Sequence, residues 1–172
     1  MIQKCSNIQV LKVFFEEPRN IHFIREISKK INLAPTSVRN YINDFVEEGL
    51  IQVKKSKPFN GYVANRDSEK FIFYKRVYNL YTLEELKEFI IKNYSPQLAV
   101  VFGSYSFGED VEESDIDILI LTKGKKDIFL QKFEKILKRE INLIVLDNLT
   151  KLDKPLIKKV YNGFVICGGF DG

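Results

Sequence analysis

Two aspartates separated by a single residue, Asp115 and Asp117, stand at the start of the apolar run 118–121. If that run is a β-strand, its side chains alternate between faces, so the two carboxylates lie on one face, close together. Neighbouring carboxylates repel each other unless a cation lies between them. Oxygen-only ligands of this kind suit Mg²⁺, which typically binds one or two carboxylates together with substrate phosphates. The pair therefore predicts a metal site used in phosphate chemistry.

A glycine–serine turn, Gly103-Ser104, directly follows another apolar run, 98–102. Glycine lets a ligand approach the backbone closely, and the turn leaves N–H groups and a hydroxyl free to face an anion. The pattern predicts a strand, a phosphate-holding turn, a polar segment and a second strand that begins with the metal ligands. A phosphate cradle beside metal-binding carboxylates indicates nucleotide chemistry. The alternative is an acidic surface loop between two core strands.

The complete pattern is Gly-Ser, three residues, Gly, five residues and Ser-Asp-x-Asp, at positions Gly103, Ser104, Gly108, Ser114, Asp115 and Asp117. It resembles the minimal nucleotidyltransferases of the polymerase-beta-like superfamily. That resemblance implies transfer of a nucleoside monophosphate (NMP) from an NTP, with ATP as the expected donor and pyrophosphate as the leaving group. Gly103, Ser104 and Ser114 would bind the nucleotide. Asp115 and Asp117 would be the catalytic residues and would hold two Mg²⁺ ions.

The sequence departs from this family at the third metal ligand. The family has a carboxylate on the next strand, and the corresponding position in the run 141–146 is Asn142. An amide can bind a metal through its carbonyl oxygen, but it cannot serve as a base. Glu140 would face the same side and is the alternative ligand. Loss of a general base usually costs about 10²–10⁴ in rate, so the sequence supports nucleotide binding better than turnover.

A second departure lies between the Gly-Ser pair and the next glycine. Family members often carry basic residues there, whereas positions 105–107 of this chain are Tyr, Ser and Phe. The basic groups could instead come from the segment after the second strand, namely Lys123, Lys125 and Lys126. The alternative for these lysines is a solvated loop before a helix predicted over 127–139.

The N-terminal part of the chain is basic. Residues 1–66 hold 11 Lys+Arg and 6 Asp+Glu, a balance of +5, and the remaining residues hold 16 and 17, a balance of −1, which recovers the +4 of the chain. A basic lobe predicts a polyanionic partner. Apolar residues recur at helical spacing in three segments, of which the third has Pro35 in its first turn and Gly49 as its stop. A strand, a turn and a returning strand follow up to residue 64.

Three helices and a two-stranded wing resemble a winged helix-turn-helix domain. In that fold the third helix enters the major groove of duplex DNA. The residues expected to reach base edges are Thr36, Ser37, Arg39, Asn40 and Asn43. Lys54, Lys55 and Lys57 on the wing would contact phosphates, which adds affinity and salt dependence without reading sequence. The alternative is a winged helix used for protein contacts or dimerisation.

The expected fold class is α+β. A winged helix-turn-helix over 1–66 is followed by a helical linker over 67–81 and by a small nucleotidyltransferase-type α/β domain with a mixed sheet over 82–172. The segment Thr82-Leu83-Glu84-Glu85 is predicted to start a helix with a capping box. A short basic helix over 151–161 and a strand over 164–167 are predicted to complete the second domain.

Several classes of protein are disfavoured by composition. No apolar run reaches about 18 residues, so no membrane span is predicted and a cytoplasmic protein is expected. Cys5 and Cys167 offer neither zinc-binding spacing nor a disulfide framework. His22 is the only histidine, which argues against histidine-based catalysis. At the start of a helix it is expected on the surface.

Two functions follow from these patterns. The first is an enzyme that transfers an NMP to an unknown acceptor, either a small molecule or a protein, as in the antitoxin-like members that modify a partner toxin. The second is a DNA-binding transcription regulator whose nucleotidyltransferase-like domain binds nucleotide but is weakly active or inactive. A homodimer would suit a winged helix of this type. An interaction module that uses neither site would require both patterns to be incidental.

Overall fold

A computed structural model of the chain describes residues 5–124 and 130–170. The chain forms two compact units, and the boundary between Tyr78 and Asn79 lies inside a single helix. Lys125, Lys126 and the predicted helix start at Asp127 lie outside the described residues. Within the described part, no helix combines the length and apolar character needed to cross a bilayer.

The first unit contains three helices, a hairpin and most of a fourth helix. The elements are α1 (Ser6–Glu16), α2 (Ile24–Ile31), α3 (Pro35–Glu47), β1 (Ile51–Lys54), β2 (Gly61–Ala64) and α4 (Glu69–Thr82). Pro35 lies in the first turn of α3, and Gly49 follows the helix with a φ of 72°, a backbone angle that glycine adopts without strain. The predicted order of three helices and a wing is confirmed.

His22 is buried, so its predicted place on the surface was wrong. Its N–H donates to the carbonyl of Tyr62 at 2.8 Å, and the N–H of Tyr62 donates back at 2.9 Å. This pairing adds a short third strand to the hairpin and turns the imidazole inward. The ring meets Phe14 edge-on, and Nε2 lies 3.0 Å from the carbonyl oxygen of Glu17. Strand pairing with a distant residue leaves no trace in local periodicity.

The second unit is built on a four-stranded sheet. Its elements are α5 (Glu84–Tyr94), β3 (Leu98–Phe102), α6 (Ser104–Phe107), β4 (Ile116–Leu121), α7 (Gln131–Leu137), β5 (Ile141–Leu146), a 3₁₀ turn (Leu149–Lys151), α8 (Lys154–Tyr161) and β6 (Phe164–Gly168). The strand order is β5-β4-β3-β6. β4 and β5 are parallel, whereas β3 is antiparallel to both of its neighbours. The sheet is therefore mixed, as predicted.

Both faces of this sheet are covered. Alternate residues of β3 face opposite sides, and all of β3 is buried. Ala99 and Val101 pack with residues of α5 and α7, and Leu98 and Val100 pack with Val160 of α8. Burial on two sides explains why β3 and β4 appear in the sequence as nearly continuous apolar runs.

The capping box predicted at Thr82 is absent. Thr82 is the last residue of α4, and α5 begins at Glu84 without a side-chain cap. The Thr82 hydroxyl instead donates to the carbonyl of Asn79 at 2.7 Å and is 2.8 Å from the Tyr105 hydroxyl. The threonine is used to pack one helix against the turn after β3, a tertiary contact that competes with capping.

Candidate functional site

The two aspartates lie at one end of the sheet. Asp115 immediately precedes β4 and Asp117 is its second residue. Asp117 is paired with Phe102 at the end of β3 and with Asn142 in β5. Because Asp115 and Asp117 are separated by one residue of extended chain, both side chains project from the same face, beside the turn that follows β3.

Asn142 joins the two carboxylates. Its Nδ2 donates to Oδ2 of Asp115 at 3.1 Å and to Oδ1 of Asp117 at 3.2 Å. Two carboxylate oxygens therefore converge on one point. The structure brings together the three residues that the sequence proposed for a metal site, and it places the Asn142 amide against both carboxylates.

Gly103 is held against the Asp117 carboxylate. Its φ is 74° and its ψ is −167°, a combination that is essentially restricted to glycine. A Cβ added at Gly103 would lie 2.5 Å from Oδ2 of Asp117. The first glycine of the motif is thus needed twice, for the backbone angle and for the space beside the carboxylate.

The donor set fits a hard divalent cation. Two half-buried carboxylates already share one hydrogen-bond donor, and the Asn142 side chain could present its carbonyl oxygen by rotation. Across residues 5–124 and 130–170, no group of three or more His, Cys, Asp or Glu side chains is placed to hold a metal. Glu140 therefore does not complete the site as a third acid, although its carbonyl accepts the N–H of Ile116 at 2.9 Å.

Two of the three residues at positions 105–107, where the resemblance implies basic side chains, are buried. Tyr105 is 5% exposed and Ser106 is fully buried, with its hydroxyl donating to the carbonyl of Gly103 at 2.8 Å. A longer basic side chain at either position would be buried. Lys123 follows the far end of β4 from Asp117, beyond the reach of a lysine side chain at about 3.3 Å per strand residue. Lys123 is therefore excluded as a phosphate contact beside the aspartates.

A buried polar cluster that sequence analysis missed fixes the segment before Asp115. Asp110 is 1% exposed; Asn79 donates to its Oδ1 at 2.7 Å, and Arg139 donates to its Oδ2 at 3.0 Å. Arg139 also donates to the carbonyls of Val111 and Ser114. The guanidinium thus ties the turn to the start of β5, next to Asn142. No local pattern marks such a pair, because its members are distant in sequence.

Ser114 shapes the same turn. Its hydroxyl accepts the N–H of Val111 at 2.9 Å, and its own N–H donates to the carbonyl of Val111 at 3.0 Å. Ser104 is partly exposed at the start of α6, and its carbonyl accepts the N–H of Glu109 at 3.0 Å. Ser114 directly precedes Asp115, and Ser104 directly follows Gly103, which lies against Asp117.

A second candidate surface lies on the first unit. The helix α3 buries Val38, Ile42 and Phe45. Its other side presents the residues predicted to reach base edges: Thr36, Arg39, Asn40 and Asn43 are exposed and Ser37 is half-buried. Lys54, Lys55 and Lys57 of the wing are exposed as well. The structure therefore leaves these polar and basic residues available to a ligand.

Family models match both units. Residues 84–168 match the model described as polymerase beta, nucleotidyltransferase, and residues 24–52 match winged helix-turn-helix DNA-binding. The chain joins a winged helix-turn-helix domain to a nucleotidyltransferase domain of the polymerase-beta type. The match to the nucleotidyltransferase domain contains the glycine turn, both aspartates and Asn142.

Several solved structures resemble part of the chain, and no curated protein sequence matches it significantly. A mutant of the toxin–antitoxin complex MntA–HpeT is 25% identical with a TM-score of 0.41, over 49% of this chain and 72% of that one. A toxin–antitoxin structure with AMP-PNP is 28% identical with a TM-score of 0.40, over 51% and 75%. A second MntA–HpeT mutant is 26% identical with a TM-score of 0.39, over 49% and 71%.

Proposed function

We propose that the nucleotidyltransferase domain binds an NTP, with ATP as the expected donor, together with Mg²⁺, and transfers its NMP to an acceptor, while the winged helix binds duplex DNA. One observation carries the first part. Oxygens of Asp115 and Asp117 converge on a single point, within hydrogen-bond distance of one amide nitrogen. Gly103 keeps the adjacent space open. A cytoplasmic location is part of this proposal and is supported by the expected NTP donor and DNA ligand.

Asp115 and Asp117 are the residues that would hold the cation. When bound there, Mg²⁺ would neutralise the charge that develops on the phosphates during an in-line displacement. An acceptor oxygen attacks the α-phosphorus, the bond to the bridging oxygen breaks, and pyrophosphate leaves. The backbone of Gly103 and the turn fixed by Arg139 hold the carboxylates in place for this step. The acceptor proton passes to solvent water in this step, because Asn142 is an amide and cannot act as a base.

A second function is favoured by Asn142 itself. The Asn142 amide donates a hydrogen bond to each carboxylate but cannot act as a general base. Such a site is suited to binding a nucleotide without fast transfer of its NMP. In this alternative the protein is a DNA-binding regulator whose second domain binds nucleotide and is weakly active or inactive. A protein acceptor and a homodimer are further proposals, which rest on the resemblance to antitoxin-like nucleotidyltransferases and to winged helix-turn-helix domains.

Titration calorimetry with ATP tests the nucleotide site. We expect ATP to bind in the presence of Mg²⁺ and the Asp117→Asn variant to lose at least about a hundredfold in affinity, since one of two charged ligands is removed. Glu109→Gln is the matched control, because Glu109 is an exposed acid of the same segment with no part in the proposed site. Equal ATP affinity in the natural chain and the Asp117→Asn variant would exclude the site.

Arg39→Ala and Lys55→Ala should weaken DNA binding in different ways. Duplexes selected from a random pool would be titrated by fluorescence anisotropy over a range of salt concentrations. Loss of a base contact at Arg39 should cost about 1–3 kcal/mol and relax sequence preference, whereas loss of a phosphate contact at Lys55 should reduce the salt slope by about one. Unchanged DNA affinity in both variants would contradict DNA binding by these residues and favour a winged helix used for protein contacts.

A further inference from the structure

Phe59 stands in the turn of the wing, between β1 and β2, with 64% of its surface exposed. Among residues 5–124 and 130–170, no other large apolar side chain is so exposed. Removing an aromatic ring from water lowers the free energy, and aromatic residues dominate the energetics of many interfaces. Its surroundings indicate which partner would cover it.

The ring is surrounded by positive charge. The segment 50–66 contains Lys54, Lys55, Lys57 and Arg66 and no Asp or Glu. The guanidinium carbon of Arg25 lies 5.9 Å from the centroid of the Phe59 ring, within range of a cation–π interaction. The centres of protein–protein interfaces are depleted in lysine, whereas phosphate backbones attract it. The composition therefore favours a polyanion over a protein surface.

The turn that carries the ring is anchored at its outgoing strand. The backbone of Tyr62 pairs with His22 through two hydrogen bonds of 2.8 and 2.9 Å. A Cβ added at Gly61 would lie 2.3 Å from Cγ2 of Ile21, so the hairpin packs directly on the residues before α2. A ring on an anchored hairpin, oriented by Arg25, loses little freedom when it binds.

We propose that Phe59 is an apolar wedge that enters the minor groove of duplex DNA and partly unstacks one base step. The lysines of the wing bind the phosphates on either side, and α3 lies in the adjacent major groove. Phenylalanine is among the side chains that insert between base steps and kink the duplex. Pyrimidine–purine steps such as TA and CA deform most easily. This inference rests on the proposed DNA binding and names the contact through which the wing acts.

The experiment compares three chains on one duplex. The probe is a mixed-sequence duplex of about 30 base pairs with TA and CA steps, dye-labelled at both ends so that energy transfer reports bending. Phe59→Ala should lose about tenfold in affinity at every salt concentration, in line with the loss of one stacked contact. The salt slope should stay unchanged, because an apolar ring displaces no counterions. The bend seen with the natural chain should be reduced.

Phe73→Ala is the matched control. Phe73 is 61% exposed but belongs to α4 and not to the wing, and this variant should bind and bend DNA like the natural chain. Normal binding by Phe59→Ala would overturn the wedge while leaving DNA binding intact. A reduced salt slope in Phe59→Ala would overturn it too, since the loss would then be ionic. If the natural chain binds no duplex, the DNA-binding proposal fails together with the wedge.

Discussion

The Asn142→Asp variant should transfer NMP about 10²–10⁴ times faster than the natural chain, the range associated with a general base. Position 142 is paired with Asp117 across parallel strands, and its side chain already reaches both aspartates. A carboxylate there would be a third oxygen ligand and could accept the acceptor's proton. Release of pyrophosphate from ATP with Mg²⁺ measures the gain without knowledge of the acceptor, because water or a hydroxyl group of the chain itself can attack the α-phosphorus.

The same variant has a readout that does not depend on turnover. Three carboxylates around one point repel each other, so Asn142→Asp should melt at a lower temperature in EDTA and recover in Mg²⁺. Asn142→Ala is the matched control, because it removes the two hydrogen bonds without adding charge, and its melting temperature should respond less to Mg²⁺ than that of Asn142→Asp. If Mg²⁺ does not change the melting temperature of Asn142→Asp, there is no cation site between these strands. If Mg²⁺ restores the melting temperature but NMP transfer is not faster, another residue is the general base.

The part of the site that could be predicted from sequence is the part encoded locally. The alternation of Asp115 and Asp117 with buried isoleucines fixes the face of β4 on which the carboxylates lie. Gly103 comes immediately after a five-residue buried strand, so the sequence alone predicts a turn there. Asn142 could be placed from the family resemblance, which implies a third ligand near the start of the next apolar run. The first two inferences need only the period of a strand and the chemistry of a turn, whereas the third depends on the resemblance.

The residues that sequence analysis missed depend on contacts between distant segments. Asp110 and Arg139 form a buried ion pair, although Asp110 precedes β4 in the sequence and Arg139 follows it. His22 is buried because its backbone pairs with Tyr62. In both cases the residue type predicts exposure, since charged residues and histidine are seldom fully buried without partners. Only the tertiary fold supplies those partners.

Tyr105 and Ser106 are a second case in which the role of a side chain depends on tertiary contacts that the sequence does not reveal. From the sequence, Tyr105 and Ser106 indicate only that the basic groups expected beside the phosphates come from elsewhere in the chain. The structure shows instead that these side chains hold the turn, Tyr105 through the Thr82 hydroxyl and Ser106 through the carbonyl of Gly103. Tyr105 and Ser106 thus help to hold the turn in which Gly103 approaches Asp117.

Gly103→Ala should abolish Mg²⁺-dependent ATP binding in a chain that remains folded. The added Cβ would lie 2.5 Å from Oδ2 of Asp117, about 1 Å inside ordinary contact distance. The atom in its way is the end of a side chain, so the carboxylate can rotate and the backbone need not unfold. A misplacement of about 1 Å in a catalytic or binding group can cost about a hundredfold. The unfavourable backbone angle adds roughly 1–3 kcal/mol of destabilisation.

Gly49→Ala separates the two effects of that substitution. Gly49 has a nearly equal φ of 72°, but a Cβ there meets nothing within 4 Å. The Gly49 variant should therefore lose some thermal stability and keep its ATP affinity, whereas Gly103→Ala should lose both. Calorimetric titration and a melting curve on each variant make the comparison. If Gly103→Ala binds ATP like the natural chain, the carboxylate of Asp117 is not a ligand of the nucleotide site, and the proposed transfer mechanism loses its central residue.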